Sequence, residues 1–145
     1  MDTKTINNNI NTDKTLDGFI ANIRNCLNLY IKNLKTNAIY SLILLSRDNI
    51  SEIDSTYTLM ISARILNKYN DTTTTRNLLE FLKDNMSNKF FSKISKIYVF
   101  KTEDNIVKSL NSALNITNAK TFLKNASVNG TFFEDAIVLE SKKPV

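Results

Sequence analysis

Ala38-Ile39-Tyr40-Ser41-Leu42-Ile43-Leu44-Leu45-Ser46 is the stretch on which the fold turns. Its apolar residues fall on both alternating faces, as they do in a strand covered above and below. A strand of that kind lies inside a sheet, so the flanking segments are read for what pairs with it and what covers it.

On its N-terminal side, Leu16, Phe19, Ile20, Ile23, Leu27, Tyr30, Ile31 and Leu34 recur at three- and four-residue spacing, one stripe of a helix over 15–35. Thr15 is placed to cap it, Asp17 lies at its positive end, and Lys32 and Lys35 at its negative end. Residues 1–14 are rich in Asn and Thr without apolar periodicity and read as a flexible arm.

On the C-terminal side, Tyr57, Leu59 and Ile61 alternate with smaller or polar residues, which predicts a strand over 55–62 antiparallel to the first. A competing helix, capped by Ser51 with Asp54 three residues on, draws support from Ala63, Arg64, Leu66 and Lys68. A second amphipathic helix follows over 75–91, with Leu78, Leu79, Leu82, Met86 and Phe90 as its stripe. Residues 95–101 read as a strand running into Thr102-Glu103-Asp104, which cap and charge a helix over 103–115.

Asn129-Gly130 between two strand-like runs (119–128 and 131–140) is the preferred two-residue hairpin turn, because both positions need positive φ. The turn sets a register: Phe133 opposite Ala126, Asp135 opposite Lys124 and Ile137 opposite Phe122 on one side, Ala136 opposite Leu123 and Val138 opposite Thr121 on the other. The sum is a single α+β domain over 15–145. It has a mixed sheet of about five strands packed against three helices, a usual sheet size.

The 145 residues, 42% hydrophobic and 23% charged, suffice for one core and exclude disorder throughout. The longest apolar run is far short of a membrane span, and no basic-then-apolar leader is present. With a single Cys26, whose place at the border of the first stripe reads as packing rather than reactivity, the expected compartment is the cytoplasm. The abundance of Asn, Ile and Lys points to AT-rich coding, as in a low-GC bacterium, its phage or a virus.

The residue inventory narrows the chemistry. There is no His, one Cys and two Gly, so His-based acid/base or nucleophilic catalysis, cysteine-cluster metal sites and phosphate-cradling glycine loops are all excluded within this chain. Three constellations remain. Asp48, with Glu52 and Asp54 behind it, follows the first strand, and Glu103 and Asp104 follow the third. Were those strands adjacent and parallel, the acids would meet at the sheet edge where ligands bind and could hold Mg²⁺. Glu140-Ser141-Lys142 matches the E-x-K half of a PD-(D/E)xK nuclease pattern, but the register sets Ala119 opposite Glu140 and no acid lies between Asp104 and Glu134. Lys83, Lys89, Lys93, Lys96 and Lys101, interleaved with Phe90, Phe91 and Tyr98, fit phosphate contact with base stacking, in keeping with a net charge of +5. Against this, Phe90 and Tyr98 belong to elements that bury their rings.

Elimination therefore favours a non-catalytic interaction protein, a subunit or homo-oligomer. Nucleic-acid binding and a Mg-dependent enzyme are the alternatives.

Overall fold

The computed structural model describes residues 3–34, 39–48 and 55–144, with side chains from residue 15 onward. The chain runs α1 (Thr3–Asn33), β1 (Tyr40–Arg47), β2 (Tyr57–Ala63), a 3₁₀ turn (Arg64–Lys68), α2 (Asp71–Asn85), α3 (Asn88–Phe91), β3 (Ile94–Val99), α4 (Asn105–Ala113), β4 (Thr121–Val128) and β5 (Thr131–Ser141). Its five strands form one sheet in the order β3-β2-β1-β5-β4. β2 and β3 are parallel, joined by the crossover through α2, and the other neighbours are antiparallel.

β1 is the middle strand and is buried on both faces. Ile43 and Leu45 join Leu59, Ile61, Ile97, Val99, Ile137 and Leu139 in a core closed by α1 and α2. Leu42 and Leu44 look the other way, into a second core with Ala136, Val138 and, from α4, Val107 and Leu110. The α+β reading of the sequence is thus the observed architecture, three substantial helices about a mixed five-stranded sheet. The strand expected over 55–62 is observed as Tyr57–Ala63, antiparallel to β1 as expected. The residues that favoured the competing helix, from Arg64 on, form the 3₁₀ turn.

Helix limits differ from expectation where polar residues mask them. α1 runs through Thr15 instead of starting there, and the flexible-arm reading of 1–14 falls on side chains outside the described residues. α2 begins at Asp71, not 75, because Asn70 caps it by accepting hydrogen bonds from the N–H groups of Thr72 and Thr73. It ends at Asn85, and Ser87 starts the separate turn α3 by accepting from the Phe90 N–H. That turn brings Phe90 onto Phe19, with ring centroids 6.0 Å apart, and so close to Gly18 that a Cβ there would lie 3.2 Å from the ring.

The hairpin register is as read from Asn129-Gly130, all five pairs included. The assignment of its faces is corrected. Phe133 does not share a side with Ile137: it lies in the α4 core with Ala136 and Val138, while Ile137 lies in the α1/α2 core. On β4, Leu123 gives way in the same manner to Ala126 and Val128. The change of phase coincides with Asn125, whose φ of 48° interrupts extended backbone in mid-strand.

Candidate interaction surface

The polar constellations expected from the sequence are dispersed by this topology. β1 is antiparallel to β2 and β2 parallel to β3, so β1 and β3 run in opposite directions with β2 between them. Asp48 consequently lies at the start of β3, where it accepts hydrogen bonds from Thr58 Oγ1 at 2.8 Å and from the Ser95 hydroxyl. Glu103 and Asp104 lie beyond the other end of the same strand, where Asp104 Oδ2 accepts from the Lys101 N–H at 3.1 Å. The condition for a shared Mg²⁺ site, adjacent parallel strands, is not met, and Glu52 and Asp54 lie outside the described residues. Among the described residues no three acidic or cysteine side chains converge on a metal-sized site.

The lysines are no better gathered. Lys96 pairs with Thr58 and alternates with Ile97, so it projects from the face opposite α2, on which the exposed Lys83 sits. Lys89 lies over the Phe90 ring at 5.9 Å. Lys101 is tied down: its Nζ donates to the carbonyls of Asn67 (2.6 Å) and Tyr69 (2.9 Å) and pairs with Asp71 at 3.4 Å. Beside it Asn67 and Thr102 exchange two hydrogen bonds, pinning the β3–α4 corner to the 3₁₀ turn. Phe90 is packed as expected, but Tyr98 is not buried; 48% of it is exposed.

Glu140 is equally committed. It accepts from the Asn118 N–H at 2.9 Å and from Arg24, whose guanidinium also donates to the Ala119 and Leu139 carbonyls. The fork thereby staples α1 to the end of the sheet, and Glu140 serves packing where the E-x-K pattern would need a metal ligand. Arg47 does similar work at the opposite end, bonding Ser55 and pairing with Asp135 at 3.4 Å. Cys26 is buried in the α1/α2 core, and burial pushes its thiol up, away from the reactive thiolate.

Among the described residues the β3 edge stands open. β3 ends the sheet, and α4 packs on β1, β5 and β4 instead. The Phe100 N–H bonds the Ile61 carbonyl, so by strand alternation the backbone groups of Ile97 and Val99 point away from β2. Between this edge and α2 runs a groove of about 690 Å³ lined by Asp71, Arg76, Leu79, Ile97, Val99 and Asp104. Leu79, 44% exposed, and Tyr98 flank it as apolar groups without cover. Alternation places these residues only once the order of strands is known, which is why the sequence alone did not single them out.

At the other edge, β4 is interrupted by Asn125 and carries Lys124, two features that discourage pairing. Among the described residues no helix is long and apolar enough to cross a membrane. No family model, curated protein or solved structure matches the chain.

Proposed function

We propose that this chain is a non-catalytic cytoplasmic interaction protein that binds another polypeptide along the edge of β3. The observation that carries the reading is the conjunction of outward-facing backbone groups at Ile97 and Val99 with an adjoining groove and two uncovered apolar side chains, Leu79 and Tyr98. Addition of a strand at such an edge takes its affinity from main-chain hydrogen bonds and its selectivity from neighbouring pockets. The partly buried Arg24, Arg47 and Glu140 and the exposed Asp48 are engaged in holding elements together, which leaves them ill placed for chemistry on a substrate.

The test is cross-linking of the tagged chain in cells that make it naturally. A defined polypeptide, its own copy or another, should be retained by the native chain and lost from the Leu79→Asp/Tyr98→Asp variant. A chain that stays monomeric and retains nothing would sink the reading.

A further inference from the structure

We infer that the polypeptide on the β3 edge is a second copy of this chain, paired antiparallel about a two-fold axis beside Tyr98. The inference rests on the role proposed for that edge and adds the identity of its occupant.

Charge along the edge is the first argument. Lys89 and Lys93 lie before the start of β3 and Lys96 in its first half, with Asp48 beside them held by Thr58 and Ser95; Glu103 and Asp104 lie beyond its end, where Lys101 is paired with Asp71. A copy laid alongside in parallel would set like charges together; a two-fold rotation sets the basic end of each chain on the acidic end of the other. An edge with a net excess of base at one end and of acid at the other is complementary to itself when reversed.

Backbone geometry is the second. Antiparallel pairing requires that residues with outward-facing groups stand opposite one another. Ile97 and Val99 are such residues, so Ile97 of one copy can face Val99 of the second, and the reverse, closing two pairs of hydrogen bonds. That register puts Tyr98 opposite its own copy and Lys96 opposite Phe100, and brings the Lys93 end of each strand beside the Glu103 end of the other. An aromatic pair and a cation over a ring thus fall on the same alignment, with opposite charges at each end of it. The two grooves merge across the axis and bring the two Leu79 side chains under cover. The result is one continuous sheet through both copies.

The pairing strand has six residues, so the contact is small and association in the micromolar range is expected. Sedimentation equilibrium of the purified chain should show a monomer–dimer equilibrium. Lys93→Glu and Glu103→Lys, each on the exposed or half-exposed surface, should weaken the dimer about tenfold, and the double swap should restore it. Leu79→Asp/Tyr98→Asp should be monomeric with an unchanged circular dichroism spectrum. The inference is overturned if the native chain is monomeric up to about 1 mM, or if a dimer forms that ignores both the swaps and Leu79→Asp/Tyr98→Asp. A monomer that nonetheless captures a different protein through Leu79 and Tyr98 overturns self-pairing and leaves the proposed function standing.

Discussion

Phe133 and Ile137 share strand β5 and the same side of a simple two-residue alternation, yet they lie in opposite cores. The chain achieves this at Asn125 on the paired strand, which adopts φ of 48° and lets both strands change phase without losing register. Asn is among the few residues that tolerate this conformation. Asn125→Val should therefore destabilise the protein by about 1–2 kcal/mol, and Asn125→Gly should be nearly neutral. Urea unfolding of the two variants checks the contrast; equal losses would mean that the side chain, not the backbone, matters there.

Leu44 and Leu45 are adjacent, fully buried, and belong to different cores. Each deletion leaves a cavity that the other core cannot fill. Leu44→Ala and Leu45→Ala should each cost about 2–5 kcal/mol. Because the cavities lie on opposite faces of the sheet, the losses should add to within about 0.5 kcal/mol. Denaturation of the single and double variants tests this, and strong coupling would argue that the sheet does not separate two cores.

Tyr40 is buried, donates its hydroxyl to the Leu27 carbonyl at 2.8 Å, and is held well above the usual tyrosine range by desolvation, with Tyr30 adding to the shift. A folded-state value raised above the unfolded one gives stability that is complete below about pH 10 and is lost as pH rises. Above that point the unfolded chain releases a proton that the folded chain keeps, so the slope of stability against pH is negative. Tyr30 and Tyr57, also raised by burial, act in the same direction. Tyr40→Phe should cost about 1 kcal/mol at neutral pH and make the alkaline fall shallower, as melting curves between neutral and alkaline pH will show.

Arg24 joins α1 to Glu140 and to two carbonyls at the end of the sheet. Its removal leaves Glu140 with the Asn118 N–H and without its cation. Arg24→Met should destabilise by about 1–3 kcal/mol. Arg24→Lys should recover little of this, because an ammonium cannot reproduce the planar fork. Full rescue by Lys in a thermal melt would reduce the contact to charge alone.

Much of this was legible in the residues. Leu42 to Leu45 announce a strand covered twice, and Asn129-Gly130 fixes every pair of the hairpin, because each signal is local and has a steric cause. Three things were hidden. Asn125 breaks the alternation on which facing was assigned, and nothing in Lys124-Asn125-Ala126 marks it as more than an exposed polar residue. The run Asp71 to Thr75 looks like loop, although Asn70 is already a cap. The order of strands is non-local: Asp48 and Asp104 each follow a strand, but whether they meet depends on what lies between β1 and β3. The same ignorance concealed Tyr98, whose exposure follows from its place on the last strand of the sheet.

The position of β1 bears on how the molecule comes into being. It is the middle strand of the sheet and the first of the described strands in chain order, while β5, one of its two neighbours, follows all the other described strands. While the ribosome makes what lies between, Leu42 and Leu44 have β2 on one side but lack β5 on the other and, at first, α4 above. Contacts of such long sequence separation form slowly and leave sticky surface uncovered meanwhile. Arrival of β5 is accordingly the step that closes the sheet, and anything that delays it prolongs the interval in which that surface can aggregate.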